Sequence, residues 1–216
     1  MASYKLWALP GAIPSNPLIY HITHVENLAS IIAHGCLWSD SERIAKNLLT
    51  TNIGYSHIKE RRLKRTVKMG GNLGDYVPFN FCPRSVMLFV VSKGHSDYVG
   101  GEDGIVHLVS SVNTATALGK RWAFTDRHAD LCYALYFTSR DELHEVDWNV
   151  MPSRQWGGND EVKARRQAEF LVYGSFPWSA VERIGVKSNA VATKVRNIVN
   201  GDTPPVIVES SWYYRC

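Results

Sequence analysis

The apolar positions along the chain change rhythm near residue 39 and again near residue 75. At the start, Pro17-Leu-Ile-Tyr-His-Ile-Thr23 reads as a strand, and Val25, Leu28, Ile31 and Ile32 then recur at helical spacing up to Gly35. Thr23-His-Val-Glu26 has the form of a capping box and Gly35 suits a left-handed stop, so a strand-to-helix junction is expected over residues 21–23. Residues 39–70 are polar, basic and weakly periodic. They predict one helix near 53–66 with mobile flanks, broken at Met69-Gly-Gly-Asn-Leu-Gly74.

Beyond that point the pattern is mostly β. Residues 75–81, 86–92, 104–110 and 122–125 read as strands, separated by Cys82-Pro83-Arg84, by Gly100-Gly101 and by a short helix after Ser111. A helix over 139–146, strands over 168–173 and 183–187, a helix over 189–200 and a strand over 205–209 complete the reading. Strands and helices do not alternate strictly. That favours an α+β domain with a mixed or antiparallel sheet and flanking helices over a doubly wound parallel sheet. With no repeat and no linker, one domain over 1–216 is expected, its first 16 residues an extension.

Composition removes several classes. A chain of 216 residues that is 45% hydrophobic and 20% charged has ordinary globular usage, so disordered and coiled-coil readings fall away. The longest apolar run, Val86 to Val91, is far short of the roughly 20 residues of a membrane helix. The N-terminus lacks a basic region followed by an apolar one, so a cytoplasmic protein is expected. Cys36, Cys82, Cys132 and Cys216 form no C-x-x-C pair and no Cys/His cluster at zinc spacing. Neither G-x-x-x-x-G-K-[ST] nor G-x-G-x-x-G occurs, and no metal is expected.

Charge is concentrated. Residues 43–68 hold eight basic residues against one acid, Glu60, a local +7 in a chain of net +4. Such a cluster fits a phosphate-rich partner, or else a solvated basic helix face. A second group, Arg154, Lys163, Arg165 and Arg166, lies near Trp156, Phe170 and Tyr173. Cations with aromatic faces suit a single strand, whose unpaired bases can stack. Phe170 and Tyr173 serve a core equally well.

Glu169 is the most conspicuous candidate for chemistry. A carboxylate beside Phe170, Leu171 and Val172 must be paired or used, and Arg62, Arg165 and Arg166 are the partners on offer. His21-Ile-Thr23 matches one arm of the H-x-[ST] pair of two-histidine phosphoesterases, but no second arm follows, so an ordinary half-buried histidine is the simpler reading. Asp126-Arg127-His128 is either an acid-base fragment or a polar turn.

Taken together, Tyr20-His-Ile-Thr-His24, His57-Ile-Lys-Glu-Arg-Arg62, Asp75-Tyr-Val-Pro-Phe79, Phe81-Cys-Pro-Arg-Ser85, His107-Leu-Val-Ser-Ser111, Phe124-Thr-Asp-Arg-His128, Gln167-Ala-Glu-Phe-Leu-Val-Tyr173 and Trp212-Tyr-Tyr214 resemble the DarT family, in order, from about residue 18 to 214. The resemblance implies an ADP-ribosyltransferase fold of the poly(ADP-ribose) polymerase type. It also implies transfer of ADP-ribose from NAD to a base of single-stranded DNA, more like the thymine-modifying branch than the guanine-modifying one. In that resemblance Glu169 and Arg62 are catalytic, and His21, Ile22, Thr23, Ser30, Trp38 and Arg62 bind NAD. Glu169 would hold the ribose 2′-hydroxyl as positive charge develops. Arg62 would stabilise the thymine anion, with water or Glu169 taking the proton, because a guanidinium is effectively never deprotonated.

For DNA, the resemblance implies Arg84, Ser85, Val86, Met87, Leu88 and Phe89, then His128, then Arg154, Gln155, Trp156 and Gly157, and finally Lys163, Ala164, Arg165, Arg166 and Gln167 ahead of Glu169. A DarG-type macrodomain antitoxin is the implied partner. Two other classes compete: an RNA 2′-phosphotransferase-like enzyme and a catalytically silent nucleic-acid-binding module. Glu169 argues against the silent module, where a carboxylate beside phosphate-binding arginines only weakens binding.

Overall fold

The computed structural model describes residues 12–200 and 204–215; residues 1–11 of the expected extension, and Cys216, lie outside the described residues. The chain runs β1 (Leu18–His24), α1 (Leu28–Ala33), β2 (Cys36–Trp38), α2 (Asp40–Ala45), α3 (Ser56–Lys64), β3 (Tyr76–Asn80) and α4 (Val86–Lys93). It continues through β4 (Ile105–Ser111), α5 (Val112–Ala117), β5 (Trp122–Thr125) and β6 (Tyr136–Phe137). Last come α6 (Asp160–Arg165), β7 (Glu169–Tyr173), β8 (Ser175–Pro177), β9 (Arg183–Val186), α7 (Asn189–Val199) and β10 (Val206–Val208). Eight strands form one sheet in the order β10-β9-β4-β1-β3-β7-β5-β6, antiparallel except between β9 and β10, and β2 pairs with β8 in a second. This is the α+β architecture the pattern predicts.

Alternation within β7 sorts its side chains between two layers. Phe170 and Val172 enter the main core with Phe79, Phe81 and Phe124, whereas Leu171 packs with Val67, Leu73, Tyr76 and Ala129. Glu169 shares the Leu171 face. Gly74 brings α3 close to that face: a Cβ there would stand 2.9 Å from the Leu63 Cα. Only a glycine admits so near a backbone.

Four local expectations are corrected. Residues 86–92 form a helix, because the Ser85 hydroxyl accepts from the Leu88 amide at 3.1 Å and Gly94, at φ +76°, ends it. A short unbroken apolar run carries no period of its own, so its flanking caps decide. Thr23 does not cap a helix: β1 continues to His24, a 3₁₀ turn spans Val25–Asn27, and the Thr23 hydroxyl accepts from Asn27 instead. The expected mobile flank contains α2, capped by Ser39 through the Glu42 amide at 3.3 Å. The expected helix over 139–146 is a 3₁₀ helix, Arg140–Glu145, behind a capping box of Ser139 and Glu142.

Candidate active site

Glu169 opens β7 and is buried at 6% exposure. Its carboxylate meets the Arg62 guanidinium fork to fork, Nη1 to Oε1 at 3.1 Å and Nη2 to Oε2 at 2.9 Å. Arg62 is the buried residue of α3. The other two arginines on offer are engaged elsewhere, Arg165 with Glu161 at 2.7 Å and Arg166 with backbone carbonyls. Oε1 also accepts from the Ala129 amide at 3.0 Å, and the Glu169 amide donates to the Thr125 hydroxyl at 3.0 Å. Burial alone would raise the Glu169 carboxyl. Arg62, His128 and the Ala129 amide outweigh it and hold the group below the usual carboxylate range.

Two histidines of the site, His21 and His128, are fixed as neutral tautomers. His21 Nδ1 lies 2.8 Å from the Pro78 carbonyl, which can only accept, so the proton sits there and Nε2 is left as an acceptor. Burial lowers its pKa. His128 is the reverse: Nδ1 accepts from the Asp130 amide at 3.3 Å, so Nε2 carries the proton and points at Glu169 Oε1, 3.9 Å away. Burial lowers its pKa as well, against the pull of Glu169. Asp126 is tied to Arg127 at 2.8 Å and to the Leu135 amide at 3.0 Å, which settles Asp126-Arg127-His128 as a structured turn that delivers one ring.

These groups surround a cavity of about 310 Å³ that is mostly apolar-walled with a few convergent polar groups, the form of a ligand site. His21, Ile22, Thr23, Ser30, Trp38, Arg62 and Glu169 all line it, and so do Val86, Met87, His128 and Gln167 from the expected DNA set. Residues that the sequence did not single out complete the wall. Asn27 donates to Thr23 Oγ1 and to the Thr51 carbonyl, both at 3.0 Å, and accepts from the Thr51 amide at 2.8 Å, clamping the loop before α3. Asp40 pairs with Lys59 at 3.3 Å. Their Thr51 and Lys59 partners lie 24 and 19 residues along the chain, beyond the reach of a local pattern.

The rest of the DNA set lies outside the cavity and divides in two. Arg154, Gln155, Gly157 and Lys163 are exposed, and Arg84, Phe89 and Arg165 are half-buried. Ser85, Leu88, Ala164 and Arg166 are buried. Ser85 is a cap. The Arg166 guanidinium donates to the carbonyls of Val150, Met151 and Arg84, the last two at 2.7 and 2.9 Å, and so ties the loop before α6 to the start of α4. Trp156 is buried edge-on against Phe89 at 5.2 Å, and Tyr214 packs on Phe89 from the C-terminal segment.

Most of the basic run has partners within the chain, although only Arg62 is buried. Arg43 and Lys59 face Asp40, Lys46 faces Glu42, Arg61 binds Asp130, Arg62 binds Glu169 and Arg65 donates to the Leu131 carbonyl. Lys64 and Lys68 stand exposed. Among the described residues no group of three or more His, Cys, Asp and Glu is placed to hold a metal ion, and no helix is long and apolar enough to cross a membrane.

A family model described as "ssDNA thymidine ADP-ribosyltransferase, DarT" matches residues 20–214. A DNA ADP-ribosyl transferase of Thermus sp. (strain 2.9) is 40% identical over 207 residues, covering 93% of this chain and 98% of that protein. One from Escherichia coli O127:H6 is 31% identical over 217 residues, covering 93% and 95%. Among solved structures, Thermus sp. 2.9 DarT in complex with ADP-ribosylated ssDNA superposes with a TM-score of 0.88 at 38% identity, covering 94% of this chain and 99% of that one. The same protein in complex with NAD+ gives 0.85 at 37% identity, covering 94% and 100%.

Proposed function

The chain belongs to the DarT family of DNA ADP-ribosyltransferases, and from that premise we propose how its own residues move ADP-ribose from NAD to thymine in single-stranded DNA. The observation that carries this reading is the Arg62–Glu169 pair, set in one cavity that also holds the neutral His21 acceptor and the Met87–Gln167 wall.

NAD enters as substrate. His21 Nε2 accepts from a ribose hydroxyl, while Thr23, Ser30 and Trp38 line the remainder of its site. The bond from ribose C1′ to nicotinamide breaks, its electron pair leaves with the neutral nicotinamide, and the sugar becomes oxocarbenium-like. Glu169 Oε2 has one protein partner, Arg62 Nη2, and keeps a lone pair for the ribose 2′-hydroxyl. An ionised carboxylate held there beforehand stabilises the developing positive charge with no reorganisation.

The thymine ring nitrogen then forms the new bond to C1′ and loses its proton. Arg62 is no base: burial would lower its pKa, but Glu169 more than restores the charged form. It steadies negative charge on the ring. The proton passes to Glu169, which even when held below the usual carboxylate range is a stronger base than water, or to water itself. His128, with its proton on Nε2, acts as a donor at the same edge. Exposed Arg154 and Lys163 hold the strand's phosphates, and a duplex must open before its base can enter.

An enzyme that modifies DNA in its own cell requires a counterweight. A DarG-type macrodomain antitoxin and a cytoplasmic setting follow from the family reading. The chemistry is tested by following nicotinamide release with a thymine-bearing single strand, its duplex and a thymine-free strand. Release with the first alone is expected. Equal release with the thymine-free strand overturns the thymine acceptor, and equal release without DNA makes the protein an NAD hydrolase.

A further inference from the structure

A groove of about 500 Å³, separate from the catalytic cavity, opens near the far end of β7, lined by Lys68, Met69, Lys120, Arg121, Trp122, Tyr136 and Thr138. Three of these seven residues are cations and none is a carboxylate. Asp75, near the same turn, is engaged by the Asn72 amide at 2.7 Å. Arg121 is held in place: Nη1 donates to the Met69 carbonyl at 3.0 Å, and its guanidinium lies 3.8 Å from the Tyr173 ring centre. Lys120 donates to Ser175 at 2.9 Å, and Lys68 is exposed.

The groove is tied to the catalytic centre in two ways. Alternation along β7 puts Glu169 and Tyr173, which stacks under Arg121, on one face of the sheet, separated by four steps of strand or about 13 Å. Tyr136, on the groove wall, donates to the carbonyl of Ala129, the residue whose amide holds Glu169. From Arg62, the basic residues Lys64, Arg65 and Lys68 follow along the chain toward the groove. Cations for phosphates beside aromatic rings for unpaired bases are the two requirements of a single strand. An acidic protein surface would need the cations but not the rings.

We propose that this groove is a second subsite for the DNA substrate, holding nucleotides on one side of the modified thymine; it rests on the DNA-modifying reading above. The test is fluorescence anisotropy without NAD, using thymine-centred oligonucleotides lengthened stepwise toward either end. Extension in one direction should tighten wild-type binding about tenfold through phosphate contacts with the lysines and stacking together. Lys68→Gln and Lys68→Gln/Lys120→Gln should lose that gain while binding the shortest strand as the wild type does. The salt slope with the long strand should become shallower by about 0.7 per lost phosphate contact. Lys68→Gln, at an exposed position, guards against loss of folding in the double variant.

The proposal is overturned if extension in neither direction strengthens wild-type binding, or if both variants keep the gain. Variants that keep the gain yet lose an antitoxin assign the groove to a protein partner, which also overturns it. Wild-type modification of the shortest strand with NAD reports separately on the DNA-modifying reading, whatever the groove does.

Discussion

Arg62 and Glu169 lie 107 residues apart in the chain and meet through two parallel hydrogen bonds of 3.1 and 2.9 Å inside the protein. A paired, dehydrated carboxylate is strongly coupled to its partner. Glu169→Gln leaves a buried guanidinium uncompensated and should destabilise the fold by about 3–5 kcal/mol. It should also cut transfer by about 100- to 1,000-fold, the usual effect of removing one preorganised electrostatic group. Arg62→Lys keeps the charge but loses the fork, so it should retain more stability than Arg62→Ala and still transfer poorly. Thermal unfolding and single-turnover rates separate the two effects. If Arg62→Lys transfers better than wild type at moderate pH, the anion-clamp role is wrong.

Acid should weaken the fold in two stages. His107 is buried, with Nε2 donating to the Pro83 carbonyl at 2.9 Å, and burial pushes its pKa down to about 4. An unfolded histidine titrates near 6.5, so between these values the unfolded chain binds the extra proton and stability falls as pH drops. The loss is on the order of 3 kcal/mol by pH 4. His21 and His128 are lowered too and add loss of the same sign below about 6.5. Glu169 acts later: its stabilisation persists above the ordinary carboxylate range and disappears as pH falls through its depressed pKa. His107→Gln should flatten the first stage in a melting profile from pH 7 to 4; an unchanged slope would contradict the assignment.

Gly74→Ala tests how α3 is delivered. The added methyl would meet the Leu63 Cα and its amide nitrogen, at 2.9 and 3.2 Å, so the helix must retreat and carry Arg62 with it. A displacement near 1 Å is enough to lower transfer by up to about 100-fold. Nicotinamide release should therefore drop far more than ssDNA affinity; a proportional loss of both would point to general unfolding.

Arg166 and Lys163 should behave oppositely although both precede Glu169. Arg166 is buried and satisfies three carbonyls, so Arg166→Met should lower the melting temperature. Lys163 is exposed, so Lys163→Ala should keep stability and reduce the salt slope of ssDNA binding by about 0.7. Melting curves and salt titrations check both. A shallower salt slope for a fully folded Arg166→Met would place that residue among the DNA contacts instead.

Much of the fold was legible because its strands carry local signals. Residues 122–125 and 183–187 stand out as short runs between turns, and the structure has strands at Trp122–Thr125 and Arg183–Val186. The helix α4 was not legible, since a six-residue apolar run fits either element and only its caps distinguish them. At the site, sequence narrowed the partner of Glu169 to three arginines, and tertiary packing chose Arg62. The Ala129 amide and the Thr125 hydroxyl that hold Glu169 have no side-chain signature of catalysis, so no pattern announces them. For the basic run, sequence shows the cations but not the carboxylates and carbonyls that the fold sets against them.

The most direct measurement is the intact mass of a thymine-bearing single-stranded oligonucleotide after incubation with the protein and NAD, beside a Glu169→Ala control, followed by fragmentation to locate the adduct. The account predicts a gain of one ADP-ribose on a thymine base, lost in the control. An unchanged DNA mass with the folded wild-type protein, or an adduct equally abundant with Glu169→Ala, would contradict it.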